Sequence, residues 1–261
     1  MFDVIAVVSH KGGTGKTSLV QNLAYELSAQ RVLVVDLDPQ SNLTVGCGLE
    51  PGENRPTIYH AMHTPAETPD IIVSGSAFDI LPANLDLALA EQQFAGHYDR
   101  NDKLRDALHH VQDRYDYILI DSPPSLGFFA FNALTAATQA MIPLQCQPYA
   151  FRAVENTLNL IALVQKGNSV LTLKAIVLTM YDRRVTLTRS VENTARSKFG
   201  DTVAQTVIPV NVSIAEAILD GAPVAEYAPR SQGAQAYRAL AKELFYGSEK
   251  ASPRHQVGEL D

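Results

Sequence analysis

The sequence predicts an α/β fold, a doubly wound, mostly parallel sheet flanked by helices, and three observations predict it. Short runs are apolar throughout rather than alternating, which suits strands buried on both faces of a parallel sheet. These runs alternate with segments of helical periodicity, the strand–helix–strand order of a doubly wound sheet. A Gly-rich loop, Asp36 and Asp121 fall at the ends of three of the runs, where such sheets bind their ligands.

In chain order, Val4 to Val8 is the first buried strand. Leu19, Leu23 and Leu27 then recur every four residues, with Val20 and Ala24 beside them, as one face of a helix. Val32 to Val35 is a second strand ending at Asp36, Phe78 to Pro82 a third, and Tyr117 to Ile120 a fourth ending at Asp121. Met141 to Leu144, Ala175 to Leu178 and Thr206 to Pro209 read as three more. Residues 50 to 70 are rich in Pro and Gly, with a short helical piece near Tyr59 to Met62. The expected organisation is a single domain over residues 1–246. Residues 247–261 mix charge, Ser, Pro and Gly without periodicity and read as a disordered tail.

Bulk properties narrow the function classes. The chain has 261 residues, 46% apolar and 19% charged, enough for a sizeable buried core. A net charge of -7 argues against a protein that coats nucleic acid over its whole surface, but leaves room for a local basic face. Cys47 and Cys146 are too few for a metal site of their own and read as free thiols. His60 and His63, and the pair His109 and His110, lack further ligands in their neighbourhood and read as surface or packing residues. The N-terminus has no basic leader region and no run is long enough to span a bilayer, so a cytoplasmic protein is expected.

The chemistry begins after Val8, at His10-Lys11-Gly12-Gly13-Thr14-Gly15-Lys16-Thr17, followed by Ser18. A strand, a Gly-rich turn and a helix N-terminus arrive in the order of a P-loop, whose backbone N–H groups and helix dipole cradle phosphate oxygens. Gly12, Gly13 and Gly15 permit close backbone approach; Lys16 is placed for the β- and γ-phosphates and the Thr17 hydroxyl for Mg²⁺. One position departs from the standard motif: His10 stands where Gly is usual, and Lys11 is an additional lysine that cannot easily share the phosphates of Lys16.

That second lysine resembles the deviant Walker A loop of the ParA/MinD family. Asp36-Leu37-Asp38-Pro39-Gln40 resembles the family's switch I, and Tyr117 to Pro124 its Walker B and switch II. Leu81 to Asn84, Ile142 to Cys146, Ile208 to Asn211 and Tyr227 to Ala234 also have counterparts, so the resemblance covers roughly residues 3 to 245 and is nearest to the small ParA/Soj ATPases. It implies ATP and Mg²⁺ as cofactors and an ATP-sandwich homodimer in which Lys11 contacts the partner's ATP. It implies that Asp38 orients the attacking water, and that Thr17, Asp36 and Asp121 hold the Mg²⁺ shell. It places the adenine near Pro209 and Asn211. It further implies slow hydrolysis stimulated by a partner, either a ParB-type centromere-binding protein or a cargo adaptor, and nucleoid association when ATP is bound.

The resemblance also implies non-specific DNA binding. Arg183, Arg184, Arg189, Arg196 and Lys198, with Arg230, are the candidates, opposed by Asp182 and Glu192. Arg189 and Arg196 are seven apart and share a helical face. An ordinary solvated helix is the equal alternative. Val210 and Ser213 stand where Soj-like chains often carry arginines, so either Arg230 or Arg238 compensates or DNA binding is weaker. A MinD-like membrane role needs an amphipathic C-terminal helix, and Ser248 to Arg254 has no apolar face. A nitrogenase-iron-protein role needs cluster cysteines that Cys47 and Cys146 do not recreate. Partition of plasmid or chromosome and positioning of a protein cargo both remain open.

Overall fold

The computed structural model describes residues 2–52, 55–147 and 150–246; the tail expected at 247–261 lies outside the described residues. Six strands form one sheet: β1 (Asp3–Val7), β2 (Val32–Asp36), β3 (Asp79–Leu81), β4 (Tyr117–Asp121), β5 (Gln139–Gln145) and β6 (Thr172–Thr179). Their order is β3-β2-β4-β1-β5-β6 and every pairing is parallel. The connecting helices are α1 (Lys16–Glu26), α2 (Asn42–Gly46), α3 (Ile58–His63), α4 (Thr68–Ile71), α5 (Leu87–Gln93) and α6 (Lys103–His109). They continue as α7 (Phe128–Ala136), α8 (Ala150–Val164), α9 (Thr186–Phe199), α10 (Val212–Leu219), α11 (Val224–Tyr227) and α12 (Gln232–Phe245).

The sheet is covered on both faces, as its all-apolar strands require. In β1, Val4 and Ala6 point into a core shared with α3 and α5 to α9, while Ile5 and Val7 point into a core shared with α1, α10, α11 and α12. The Leu19, Leu23 and Leu27 stripe of the sequence is wholly buried in the second core.

One expected strand is corrected. Residues 206–209 do not form a strand; the chain from Val203 to Pro209 runs beside the outer edge of β6 with isolated bridges at Ile176–Val203 and Tyr181–Pro209. Ala204 N–H donates to the Ile176 carbonyl, yet the next bond to β6 comes from Ile208 N–H to the Leu178 carbonyl. The backbone between them bulges out because its N–H groups are used elsewhere: Gln205 and Thr206 donate to the two carboxylate oxygens of Glu243 on α12, at 2.6 and 2.8 Å. Pro209 offers no N–H at all.

The topology places the site. β1 leads through α1 to β2, crossing past β4; β4 leads through α7 to β5, crossing past β1 in the opposite direction. The crevice between β1 and β4 at their carboxyl ends is therefore the switch point, the usual ligand position in open α/β sheets. There the register aligns Val7, the last residue of β1, with Asp121, and aligns Asp121 with Asp36.

Candidate functional site

The loop that leaves β1 is built for close approach to an anion. Gly13 has φ +70° and Gly15, the N-cap of α1, has φ +87°, a region that disfavours side chains. A Cβ on Gly15 would lie no closer than 3.9 Å to Thr179, so the backbone angle and not space requires glycine there. The loop is anchored from the far side by the Thr179 hydroxyl, which donates to the Thr14 carbonyl at 2.9 Å. The first turn of α1 thus holds its free N–H groups toward the switch-point crevice.

Lys16 is buried, and its ammonium donates to the Lys11 carbonyl at 3.4 Å. Burial lowers its pKa, against the opposing pull of Asp121 and Asp38. Lys11 behaves differently. Its ammonium donates to Gln147 Oε1 at 2.9 Å in the loop after β5, at an exposed position. The two lysines of the motif therefore occupy separate places.

The three aspartates also differ from one another. Asp121 is fully buried; Oδ2 accepts from the Thr17 hydroxyl at 2.6 Å, and Oδ1 has no hydrogen-bond partner. Burial, then the neighbouring Asp36, pushes its pKa up to about 8. Asp36 is equally buried but saturated: Oδ1 accepts from Asp38 N–H at 3.1 Å, and Oδ2 accepts from Thr44 N–H at 2.8 Å and the Thr44 hydroxyl at 2.7 Å. Burial raises its pKa to about 6 against those bonds. Asp38 is nearly buried at the mouth, and its Oδ1 accepts from Gln40 N–H at 2.9 Å.

Two buried carboxylates in register, one with an orphaned oxygen beside a hydroxyl, form an oxygen-rich wall that a divalent cation would neutralise. Among the described residues no group of three or more His, Cys, Asp or Glu is arranged to hold a metal alone. The unpartnered Asp121 oxygen and the Thr17 hydroxyl fit Mg²⁺, which keeps most of its shell as water and phosphate and takes one or two ligands from protein. Both thiols are pushed up to about 12 by burial, so neither Cys47 nor Cys146 offers a thiolate for chemistry.

Pro209 and Asn211 lie beyond the β6 side of the loop. Val210 N–H donates to the Tyr181 carbonyl at 3.1 Å, and Asn211 stands at the N-cap of α10 without using its side chain there. Its Oδ1 is buried without a partner, packed against Gly233 of α12, where a Cβ would come within 3.1 Å of it.

The basic candidates are divided by their partners. Arg184 pairs with Asp182 at 2.8 Å, Arg196 with Glu192 at 2.9 Å, and Lys198 with Glu155. Arg196 also donates to the carbonyls of Ala204 and Gln205, so it does not share an open face with Arg189. Arg183, Arg189 and Arg230 are exposed, and among the described residues none has a carboxylate partner. Arg238 lies 3.5 Å from Glu26. Around Val210 and Ser213, where the resemblance leads one to expect arginines, large apolar side chains are open to solvent: Val210, Val212 and Leu219 are 61%, 70% and 90% exposed.

Thr44, Thr179 and Gln147 were not singled out from sequence. Thr44 is eight residues from Asp36 on a short helix, and Thr179 and Gln147 reach the loop across the sheet. The one sequence signal was that Thr44 follows the switch I segment closely.

Residues 2–173 match the model of the AAA domain family. The sporulation initiation inhibitor protein Soj of Bacillus subtilis is 41% identical over 249 residues, covering 94% of this chain and 98% of Soj. The chromosome partitioning protein ParA of Caulobacter vibrioides is 39% identical, covering 93% of each chain. The chain belongs to the ParA/Soj family of P-loop ATPases. Among solved structures, a Mycobacterium smegmatis protein described as cobyrinic acid a,c-diamide synthase, with bound ADP and magnesium, superposes on this ParA-family chain with a TM-score of 0.82. It is 34% identical and 93% of each chain is covered. Among the described residues no helix is long and apolar enough to cross a membrane.

Proposed function

We propose that this chain is a ParA-type ATPase that binds Mg²⁺·ATP, closes into an ATP-sandwich homodimer, binds DNA without sequence preference and drives partition of plasmid or chromosome. Its hydrolysis is slow and is stimulated by a ParB-type partner. In this reading the N–H groups of residues 12–18 and the Lys16 ammonium hold the β- and γ-phosphates. Thr17 and Asp121, with Asp36 beside them, would hold Mg²⁺ through its waters, and the bound ion would supply neutralisation of phosphate charge. Asp38 accepts a hydrogen bond from the attacking water and aligns it with the γ-phosphorus. Pro209 and Asn211 border the adenine. Arg183, Arg189 and Arg230 meet DNA phosphates; Arg184, Arg196 and Lys198 contribute only after leaving their carboxylates.

The observation that carries this reading is the separation of the two loop lysines. Lys16 is buried against the Lys11 carbonyl, while the Lys11 ammonium is exposed and held at 2.9 Å by Gln147. In this reading the exposed Lys11 serves a nucleotide in a second subunit, as an arginine finger does. The test is ATP-dependent dimerisation by light scattering, with wild type and Lys11→Ala compared. Wild type dimerises with ATP and not with ADP, and Lys11→Ala remains monomeric while still binding ATP. An unchanged Lys11→Ala dimer, or no wild-type dimer, overturns the reading. Positioning of a protein cargo uses the same cycle with an adaptor in place of the ParB-type partner. A helix-turn-helix DNA binder encoded beside this chain favours partition.

A further inference from the structure

Thr44 ties the end of β2 to the loop that leaves β3. Its N–H and hydroxyl both donate to Asp36 Oδ2, at 2.8 and 2.7 Å. The same hydroxyl accepts from Ala83 N–H at 3.0 Å, in the loop that leaves β3. The other oxygen of Asp36 accepts from Asp38 N–H at 3.1 Å. An unbroken line of hydrogen bonds therefore runs from the β3 loop through the Thr44 hydroxyl and the Asp36 carboxylate to the backbone of Asp38. Thr44 and Asp36 are both buried, so water does not compete for these bonds.

The backbone between the two anchors is held in a costly shape. Ser41 has φ +57°, and together with Met180 it is one of two described non-glycine residues with positive φ. Ser41 N–H donates to the Asp38 carbonyl at 2.8 Å, closing the turn between Asp38 and α2. A non-glycine residue persists in this region only where surrounding bonds over-determine it. Here those bonds are the closing turn at Asp38 and the two from Thr44 that fix the start of α2. Asp36 and Asp121 sit in register and are equally buried, yet Asp121 leaves one oxygen free and Asp36 leaves none undonated.

We infer that Thr44 is the positioning residue of the active site: it holds Asp36 as a clamp on the Asp38 backbone, and so sets where the Asp38 carboxylate meets the attacking water. The inference rests on the assignment of Asp38 to that water. The division of labour is then clear. Asp121 has an oxygen free for the cation, while Asp36 beside it has both oxygens engaged in shaping the loop. A misplacement of the water-orienting group on the scale of an ångström slows transfer while leaving nucleotide binding nearly intact.

Wild type, Thr44→Val, Thr44→Ser and Asp38→Ala, each as the full chain, are compared by three measurements. These are affinity for a fluorescent ATP analogue with Mg²⁺, single-turnover phosphate release, and amide hydrogen exchange of Gln40 and Ser41 without nucleotide. Thr44→Val binds the analogue within about threefold of wild type, releases phosphate about tenfold or more slowly, and exchanges those two amides faster. Thr44→Ser restores all three, because the hydroxyl is kept. Wild-type release by Thr44→Val, unchanged exchange, or a Thr44→Ser variant as slow as Thr44→Val overturns the inference. If Thr44→Val does not fold, Thr44→Ala takes its place with the same expectations. The failure of the underlying reading looks different: Asp38→Ala then releases phosphate as wild type does, while the exchange measurement still decides whether Thr44 clamps the loop.

Discussion

The centre of the sheet and its β6 edge handle charge in opposite ways. At the carboxyl ends of β1, β2 and β4, Lys16, Asp36 and Asp121 are buried, and Asp121 keeps an oxygen without a partner. Along the edge, from Tyr181 to Val210, charges are mostly exposed and already matched: Arg184 with Asp182, Arg196 with Glu192, Lys198 with Glu155. Burying charge without matching it is unfavourable for the folded chain alone. The centre is therefore arranged for something the chain does not contain, and the edge largely for the chain itself. Counting charged residues in sequence does not distinguish these cases.

The sharpest way to break this comparison is Asp121→Asn. If the centre is arranged for Mg²⁺, removing the charge slows Mg²⁺-dependent ATP turnover by about 10²–10³-fold. The same change stabilises the nucleotide-free protein near neutral pH, because Asn needs no proton to be neutral, whereas burial makes the folded chain hold the Asp121 carboxyl protonated well above the ordinary carboxylate range. A variant that loses turnover and melts lower than wild type would place Asp121 with the structural charges instead.

The next effect is a pH dependence with an unusual sign. Asp36 and Asp121 are raised to about 6 and about 8 by burial. Between the ordinary carboxylate range and those values the folded state holds more protons than the unfolded state. Stability of the nucleotide-free protein then falls as pH rises from about 4 to about 8. Asp116 and Asp182, held down to about 2 by Arg31 and Arg184, act in the opposite sense but only below about 4, so the windows separate. Thermal melts across pH, repeated with Asp121→Asn, read this directly: the substitution flattens the upper part of the slope. A wild-type midpoint that climbs between pH 6 and 8 would show that other groups dominate.

Much of the centre was legible in sequence, for a physical reason. A parallel strand buried on both faces must be apolar to its end, so the polar residue that stops it, Asp36 or Asp121, marks the rim. The Gly-rich loop is local in sequence and its order of strand, turn and helix is itself the structure. The edge was less legible because its determinants are distant. The stretch 206–209 reads as a strand, but Glu243, 37 residues from Thr206, takes the N–H groups a strand would need. Arg196 is four residues from Glu192, a spacing visible in sequence, yet its bonds to the Ala204 and Gln205 carbonyls follow only from how the chain turns back. Thr44 was missed because a threonine on a short helix carries no sign of what its hydroxyl holds.

The edge makes its own predictions, smaller than those at the centre. Arg196→Ala removes a partly buried arginine that satisfies a carboxylate and two carbonyls, and costs about 1–2 kcal/mol of stability. It leaves the salt dependence of DNA binding unchanged. Arg183→Ala and Arg189→Ala reverse that pattern: stability holds, and each reduces the slope of log affinity against log salt by about 0.9, one phosphate's worth of released counterions. With Arg183, Arg189 and Arg230 as the open cations, the wild-type slope is about -3 per protomer. A slope near zero would remove DNA from the reading. A much steeper slope would mean that the paired arginines open on contact.

That last possibility has the smallest expected effect and its own variant. Arg184 holds Asp182 through an exposed pair at 2.8 Å, with 89% of the arginine side chain open to solvent. Exposed pairs contribute little to stability, so Asp182→Asn leaves the melting midpoint near wild type. What it changes is the number of free cations. If the pair stays closed on DNA in the wild type, Asp182→Asn releases Arg184 and steepens the salt slope by about 0.9. If DNA already breaks the pair, the slope does not move, and only the affinity rises, because a competing carboxylate is gone. The two outcomes differ in slope and not merely in strength of binding, so one salt titration of each protein decides whether the edge serves the chain alone or lends its arginines when a polyanion arrives.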